Sequence, residues 1–168
     1  MREVASMAKI VVLGAFRIEV EQVVNQLENQ EELCEEGPLK YVTGIYENKR
    51  VLVGVTGLGK VRAAAGTQAA IHVFQPDLIV MCGTAGSLSE EVHALDLVVA
   101  RHLLQHDTGP HEPEPISADP GCSAGLESAA RTALRGTTHA VHTGTLVTGD
   151  RPVIDPATRA ALFDRFHA

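Results

Sequence analysis

The sequence is poor in the residues that bind nucleic acids. Its 168 residues contain no tryptophan, two tyrosines and four phenylalanines, so few aromatic rings are available to stack on bases. Lysine and arginine number 14 against 21 aspartates and glutamates, which gives a formal net charge of −7. Because excess negative charge repels phosphate backbones and anionic lipid headgroups, this composition argues against nucleic-acid and membrane-surface binding.

Cysteines and long apolar runs are also scarce. The three cysteines, Cys34, Cys82 and Cys122, are widely spaced and form no C-x-x-C pair, a pattern that favours reduced thiols over a disulfide framework. No apolar run approaches the roughly 20 residues that span a bilayer. Residues 1–8 carry charges without an apolar segment, so we interpret them as an N-terminal extension rather than a signal peptide. We expect a cytoplasmic protein with a single domain over residues 9–168.

What the sequence does contain is an alternation of two patterns. Apolar runs rich in β-branched residues, typical of strands buried on both faces, alternate with amphipathic or alanine-rich segments typical of helices. We predict strands at 9–16, 77–83, 96–104 and 140–150, and a hairpin within 40–56 that turns at 47–49; helices are predicted at about 17–30, 60–74, 123–135 (capped by Ser123) and 156–167. The alternation predicts an α/β fold with three layers, in which helices flank a mostly parallel or mixed central sheet.

One glycine-rich stretch resembles a phosphate-binding loop. From Gly54 to Lys60 the sequence reads G-x-x-x-x-G-K, but the next residue is Val61, where a P-loop has the Ser or Thr whose hydroxyl binds Mg²⁺. Gly54 also lies inside an apolar run and is expected to belong to a strand. A nucleoside triphosphate site is therefore not favoured, and a tight strand-to-helix turn explains the glycines without any ligand.

Two other candidate sites are weak. His102, His106, Asp107 and His111 have a spacing that suits a metal, but the neighbouring prolines make regular ligand geometry improbable, and structural or surface histidines are the safer interpretation. Cys82 ends a predicted buried strand without an assured basic neighbour, which argues against a nucleophile.

Glu19 is the strongest single candidate. It follows the first predicted strand at the start of a helix, in the segment GAFRIEV (14–20). A carboxylate beside glycine loops could act as a general base on water. The alternative is that Glu19 only complements the positive end of the helix dipole, and the sequence leaves both interpretations open.

Six segments together resemble the nucleoside phosphorylase and nucleosidase superfamily. The first and third are most similar to its hydrolytic branch, the 5′-methylthioadenosine/S-adenosylhomocysteine nucleosidases. The resemblance runs from about residue 9 to residue 155. In chain order the segments are GAFRIEV (14–20), TGLGKVRAA (56–64), CGTAGSL (82–88), LDLVVA (95–100), HD (106–107) and VTGD (147–150).

This resemblance implies a phosphorylase/hydrolase-like fold, a purine nucleoside substrate, no cofactor and a homodimer with a role in methionine salvage. Glu19 would position and deprotonate the attacking water. Phe16 and Leu58 would form apolar walls near the ribose and the 5′ substituent. The small residues beneath the sugar and base would be Thr84, Ala85 and Gly86. Pro152 and Val153 would lie beside the purine. The proline-rich segment 108–120 is expected to border the neighbouring subunit's site.

The chain differs from the phosphorolytic branch, and it departs from the pattern of its relatives in two further places. The phosphorolytic branch has Gly-Asp-Pro after the first strand and an arginine before the Gly-Thr motif, where this chain has Gly14-Ala15-Phe16 and Met81-Cys82. Pro152 stands where relatives usually stack a phenylalanine on adenine. We also expect the chain to lack the family's C-terminal part, with its ribose-binding Met-Glu segment and its Ser-Asp pair, whose aspartate protonates the purine.

The function predicted from this resemblance is hydrolysis of the N-glycosidic bond of 5′-methylthioadenosine- or S-adenosylhomocysteine-type nucleosides. A purine or uridine phosphorylase is the enzymatic alternative, which Arg17 and Arg62 keep open. A catalytically inactive nucleoside-binding module is the alternative from another class.

Overall fold

The computed structural model describes residues 7–109 and 114–168. The chain divides into two compact units, an N-terminal unit of residues Met1–Thr84 and a C-terminal unit of residues Ala85–Ala168. The single domain expected over residues 9–168 stays a prediction. Of the expected N-terminal extension, residues 1–6 lie outside the described residues. The carbonyl of Ala8 accepts a hydrogen bond from the Arg50 N–H (2.9 Å), so main-chain pairing begins within residues 1–8.

The described part of the N-terminal unit is built on one five-stranded sheet. Its elements are β1 (Lys9–Gly14), α1 (Arg17–Val24), β2 (Cys34–Glu36), β3 (Leu39–Tyr46), β4 (Lys49–Val55), α2 (Lys60–Phe74) and β5 (Leu78–Met81). The strand order is β2-β3-β4-β1-β5. β1 pairs in parallel with both β4 and β5, whereas the β2–β3 and β3–β4 pairs are antiparallel. The sheet is therefore mixed, and its parallel part has β1 at the centre.

Helices cover both faces of this sheet because successive strand residues point to opposite sides. On one face Leu13 and Leu52 pack with Ala70 and Phe74 of α2. On the other face Val51 and Val53 pack with Val20 of α1 and with Leu27. Each fully buried leucine contributes about 1.5–3 kcal/mol to folding. The result is the predicted three-layer α/β arrangement within this unit.

The hairpin between β3 and β4 turns as the sequence indicates, over two residues rather than three. Tyr46 pairs with Lys49, and the two residues between them, Glu47 and Asn48, have φ angles of 44° and 61°. Two consecutive residues of positive φ form a turn whose twist matches that of the flanking strands.

The C-terminal unit has a smaller sheet. Its described elements are β6 (Leu97–Gln105), β7 (Ile116–Ser117), α3 (Pro120–Ala133), β8 (Val141–Thr148) and α4 (Pro156–Phe166). The described strands have the order β7-β6-β8, with β6 and β8 parallel and β6 and β7 antiparallel. The Ser123 hydroxyl of α3 donates to the Ala100 carbonyl of β6 (3.3 Å), which attaches the helix to the middle strand.

Two helix predictions are wrong in detail. α1 ends at Val24 rather than near residue 30, because the chain turns at Asn25 and Glu28 then forms a bridge with Ile45. α3 begins at Pro120, and its N-cap is Asp119, whose Oδ1 accepts from the Cys122 N–H (2.7 Å). Proline is favoured at the first helical position because its missing N–H is not needed there. Ser123 is thus a buried residue inside the helix rather than its cap.

The proline-rich segment 108–120, which is expected to border the neighbouring subunit's site, lies partly outside the described residues. Pro110, His111 and Pro113 lie outside the described residues. Within residues 7–109 and 114–168, no helix is both long and apolar enough to cross a membrane.

Candidate active site

The most developed polar site of the N-terminal unit surrounds Glu19. β1 ends at Gly14, and α1 begins at Arg17 with Phe16 as its N-cap. Glu19 is the third residue of α1, and at this position a side chain can reach back to the main chain before the helix. The short β1–α1 connection therefore turns the carboxylate toward the carboxyl ends of the parallel strands.

Two loops supply four hydrogen bonds to this half-buried carboxylate. The N–H groups of Ala15 and Phe16 donate to Oε2 at 2.8 and 2.9 Å. The N–H and the hydroxyl of Thr84 donate to Oε1 at 3.0 and 3.2 Å. The bonds to Oε2 satisfy N–H groups at the start of α1. Thr84 lies 65 residues away along the chain, so the bonds to Oε1 go beyond helix capping.

These bonds decide the charge of Glu19. Burial by itself would raise the pKa of this carboxyl, but hydrogen bonds from the backbone of Phe16, Thr84 and Ala15 and from the Thr84 hydroxyl outweigh it and lower the pKa. Hydrogen bonds donated to a carboxylate stabilise its charged form. Glu19 is therefore ionised at neutral pH and acts as an acceptor.

Glycines allow the close packing around this carboxylate. A Cβ added at Gly83 would lie 2.9 Å from Oε1 and 3.0 Å from Cδ of Glu19, so a larger residue would displace the carboxyl group. At the end of β1, a Cβ added at Gly14 would lie 2.8 Å from Cγ1 of Val20. The Gly14 carbonyl accepts a hydrogen bond from the Thr56 N–H (3.0 Å), which ties the loop after β4 to the same site.

Cys82 is adjacent to Glu19 but is a poor nucleophile. Its thiol donates to the main-chain carbonyl of Glu19 (3.6 Å). Burial raises the pKa of the Cys82 thiol, and the charge of Glu19 raises it further. A neutral thiol beside a carboxylate has little nucleophilic character.

Three of the residues expected at the site are joined by hydrogen bonds, and the others lie elsewhere in the two units. Glu19, Phe16 and Thr84 are joined by hydrogen bonds. Leu58 is 65% exposed, in the loop between β4 and α2 of the same unit. The remaining four belong to the C-terminal unit: Ala85 and Gly86 are exposed just after Thr84, and exposed Pro152 and half-buried Val153 lie between β8 and α4.

Two carboxylate clusters of the C-terminal unit were not identified as such from the sequence. Asp107 accepts from the Asp150 N–H (2.8 Å), which joins the HD and VTGD segments. Asp96, which precedes β6, accepts from the N–H groups of Ala140 (2.7 Å) and His93 (3.0 Å) and bonds to Nε2 of His142 (3.0 Å). The quoted motifs contained these aspartates, but apart from His93 their partners are 43 to 46 residues away along the chain.

The weaker candidate sites can now be placed. Gly54 belongs to β4, as predicted, and Val61 is 82% exposed on the first turn of α2. His102 lies in β6, and His111 lies outside the described residues. Among residues 7–109 and 114–168, no group of three or more His, Cys, Asp or Glu side chains is arranged to hold a metal. Arg17 pairs with Glu21 on α1 (3.4 Å), and its side chain is 84% exposed.

Comparison with known sequences extends over almost the whole chain. A family model described as the phosphorylase superfamily matches residues 9–168. A 5′-methylthioadenosine/S-adenosylhomocysteine nucleosidase of Bacillus pumilus is 32% identical, over 94% of this chain and 71% of the relative. A nucleosidase of the same name from Shewanella halifaxensis is 30% identical, over 94% of this chain and 72% of the relative.

Solved structures give the same result for the fold. The nucleosidase of that name from Neisseria meningitidis, in complex with methylthio-immucillin-A, has a TM-score of 0.87 and 27% identity, covering 96% of this chain and 73% of that chain. The futalosine hydrolase of Helicobacter pylori has a TM-score of 0.86 and 25% identity, covering 96% and 72%. The chain therefore spans between 71% and 73% of the length of these four proteins.

Proposed function

The chain belongs to the phosphorylase superfamily, and from this membership we propose that it hydrolyses the N-glycosidic bond of 5′-thio-substituted adenosines, releasing adenine and a thioribose. The names of the Bacillus and Shewanella relatives state two such substrates, 5′-methylthioadenosine and S-adenosylhomocysteine. The observation that most directly supports this proposal is the ionised Glu19 carboxylate, held by loops that follow the parallel strands β1 and β5.

The proposed reaction uses Glu19 as the base for water. Breaking the bond between C1′ and the purine nitrogen leaves positive charge on the sugar, and a carboxylate can direct a water molecule to its opposite face. As the water oxygen bonds to C1′, one of its protons passes to Glu19, while the electron pair of the broken bond leaves with the purine, which takes up a proton. Each step needs only the nucleoside, water and a proton donor.

The lowered pKa of Glu19 is compatible with this role. A weakly basic carboxylate removes a proton slowly from free water, but a water that attacks a cationic sugar becomes acidic as its bond forms. The main task of the carboxylate is then to orient the water and to stabilise positive charge nearby, which a fixed anion does without reorganisation. The four hydrogen bonds supply that fixed position.

We propose the remaining contacts from the family resemblance. Phe16 and Leu58 expose 48% and 65% of their surface, so both side chains are available to pack against a ribose and its 5′ substituent. Thr84, Ala85 and Gly86 would lie beneath the sugar and base, and Pro152 and Val153 beside the purine. Proline offers a smaller face than a phenylalanine ring, so we expect weaker stacking on adenine.

Hydrolysis is favoured over phosphorolysis. The relatives are named as nucleosidases, and Arg17 is engaged with Glu21 on the exposed side of α1. Arg62 lies against the loop after β4, with Nη1 3.2 Å from the Cβ position of Gly57. No cofactor is required by the proposed chemistry.

The test is to incubate the purified chain with 5′-methylthioadenosine in buffers with and without phosphate. We expect release of adenine in both buffers, with methylthioribose as the other product. Formation of methylthioribose 1-phosphate only in the phosphate buffer would instead establish a phosphorylase. An increase of the melting temperature by the nucleoside without release of adenine would support the nucleoside-binding module.

We also propose that the chain forms a homodimer through helix α2. Its sheet side carries buried Ala70 and Phe74, whereas Val61 and Ala64 are exposed on other sides. α2 also exposes 40% of Ile71 and 37% of Val73, and exposed apolar surface on a helix suits an interface with another subunit. The proposal predicts that Val61→Glu converts a dimer into a monomer in light scattering, whereas Leu33→Glu, at an exposed leucine outside α2, does not.

A cytoplasmic location is proposed from the thiols. Cys34, Cys82 and Cys122 are all free, which suits a reducing compartment. Fractionation of cells that express the native protein would test this location.

A further inference from the structure

The hydrogen bonds of Glu19 leave no acceptor position for a water molecule. An ionised carboxylate offers about four lone-pair positions to hydrogen-bond donors. Oε2 accepts from Ala15 and Phe16, and Oε1 accepts twice from Thr84. A water that is to transfer a proton to Glu19 must therefore replace one of these four donors.

Three of the four donors cannot leave without moving the main chain. The N–H of Phe16 belongs to the N-cap of α1, and the Phe16 carbonyl is itself bonded to the Glu19 N–H (3.1 Å). The segment before Thr84 is anchored by the bond from the Cys82 N–H to the Leu13 carbonyl (2.9 Å). Displacing any of these N–H groups would break the ends of β1, β5 or α1.

The hydroxyl of Thr84 is the exception. Its bond to Oε1 is the longest of the four, at 3.2 Å, and Thr84 is exposed. Rotation about χ1 moves a threonine hydroxyl between staggered positions without disturbing the backbone. The N–H of the same residue would continue to hold Oε1 at 3.0 Å.

We infer that the Thr84 hydroxyl occupies the position of the attacking water on Glu19 Oε1 and turns away when the nucleoside and water bind. Thr84 is then a positioning residue for Glu19. The inference rests on the proposed nucleosidase function. In the bound state the hydroxyl donates to an oxygen of the ribose, and the water donates one hydrogen to Oε1. The bond changes remain those of the proposed hydrolysis.

The exchange replaces one hydrogen-bond donor on Glu19 with another. The Thr84 hydroxyl is among the groups whose hydrogen bonds lower the pKa of Glu19 against the raising effect of burial. When it turns away, the water replaces it as the donor to Oε1, so this hydrogen bond becomes the path of the transferred proton. Cys82 is the titratable group that faces Glu19 from the segment after β5, and its raised pKa keeps it neutral in the acid range. On α1 itself, Arg17 and Glu21 pair with each other.

Kinetics can separate this exchange from a permanent structural bond. The pH dependence of kcat/KM reports the pKa of groups in the free enzyme, and that of kcat reports the bound complex. In Thr84→Val the acid limb of kcat/KM for 5′-methylthioadenosine should move to higher pH, because the free enzyme lacks one donor to Glu19. The acid limb of kcat should stay in place, because in the wild type the hydroxyl has already left.

The variant should also lose the contact between the hydroxyl and the ribose. KM should rise about three- to tenfold, as for the loss of one hydrogen bond. Thr84→Ser retains a rotatable hydroxyl and should restore the acid limb of kcat/KM and the wild-type KM. Thr43→Val is the matched control: it removes a hydroxyl that donates to another carboxylate, Glu31 (2.5 Å), and should change neither limb. A shift of both limbs together in Thr84→Val would overturn the inference.

A crystal structure of the wild-type chain with methylthio-immucillin-A gives the direct test. We expect Thr84 Oγ1 beyond hydrogen-bonding distance of Glu19 Oε1, with a water in its place. An analogue bound with Oγ1 still on Oε1 would overturn the inference and leave the proposed function standing. If the chain neither binds the analogue nor releases adenine, the proposed function itself is wrong, and the inference with it. If the analogue binds but the chain releases no adenine, the position of Thr84 Oγ1 in the complex still tests the inference.

Discussion

Glu19 and Asp96 are two carboxylates that are held by similar hydrogen bonds but lie at opposite ends of parallel strands. Each accepts hydrogen bonds from backbone N–H groups of two chain segments, and each has a lowered pKa. Glu19 lies after β1 and accepts hydrogen bonds from Thr84, which follows β5, at the carboxyl ends of parallel strands. Asp96 lies before β6 and bonds to Ala140 before β8, at the amino ends of parallel strands.

The position of each carboxylate, at the carboxyl or the amino ends of its strands, therefore distinguishes the two better than the pKa, which is lowered in both. Ligands of α/β proteins bind outside the carboxyl ends of the strands, where loops are free to vary. The side chain of Asp96 is only 5% exposed, and its partners are Ala140 just before β8, the loop residue His93 and the imidazole of His142. Asp96 thus holds together the C-terminal unit, whereas Glu19 is half-buried and available to a ligand.

The largest expected effect comes from Glu19→Gln. The amide cannot accept a proton from water, and its NH₂ group would face N–H donors. Loss of a general base typically lowers the rate about 10²–10⁴-fold, while nucleoside binding should persist. Adenine release and nucleoside titration measure the two properties. Glu21→Gln on the same helix is the control and should retain activity, and full activity in Glu19→Gln would refute the assigned role.

Gly83→Ala should be nearly as damaging to activity, without replacing any reacting group. The added methyl would lie 2.9 Å from Oε1 of Glu19 and would push the carboxylate aside. A misplacement of about 1 Å can cost about 10²-fold in rate. The carboxylate is the movable end of a side chain, so the melting temperature should change little. Gly144→Ala, where a methyl meets nothing within 4 Å, is the control for both measurements.

Asp96→Asn should have the opposite profile. In the asparagine, an NH₂ group replaces one of the two carboxylate oxygens and faces the groups that donate to that oxygen. These are the Ala140 N–H at Oδ1, or the His93 N–H and the His142 ring at Oδ2. We expect a melting temperature lower by several degrees with kcat retained, measured by calorimetry and adenine release. Asp164→Asn on exposed α4 should show neither change. A loss of kcat without loss of stability would contradict the structural role of Asp96.

The stability that Asp96 provides should disappear in acid. Hydrogen bonds from Ala140, His93 and His142 hold the pKa of Asp96 far below its usual range, against the raising effect of burial. A lowered folded-state pKa gives stability that is fully present above the unfolded value of about 3.9 and is lost as the pH falls toward the folded value. The difference in melting temperature between the wild type and Asp96→Asn should therefore shrink below about pH 4. A difference that stays constant would exclude this linkage.

The smallest effect is expected for Arg17→Gln. Its pair with Glu21 is exposed and spans one helical turn, and such a pair contributes less than about 0.5 kcal/mol. Stability, adenine release and phosphate independence should all be unchanged. A large loss of activity only in phosphate buffer would revive the phosphorylase alternative.

Local signals predicted most of the fold. Strands β1 and β4 and helix α2 appear where apolar runs and an alanine-rich segment indicated them. The errors lie at the ends of elements, where several signals compete. Leu27 continues the helical pattern of α1 but is buried after the helix has ended. At α3 both Asp119 and Ser123 are good capping residues, and Pro120 gives Asp119 the advantage.

The sequence by itself determined the alternation of strands and helices and the presence of an acid just after β1, because periodicity and capping depend on neighbours along the chain. Only the tertiary structure decided what that acid contacts. Gly83 and Thr84 meet Glu19 because β5 pairs in parallel with β1, and such pairing depends on contacts between residues more than sixty positions apart. For the same reason, only the folded chain distinguishes a carboxylate at the carboxyl ends of parallel strands from one that joins the starts of two strands.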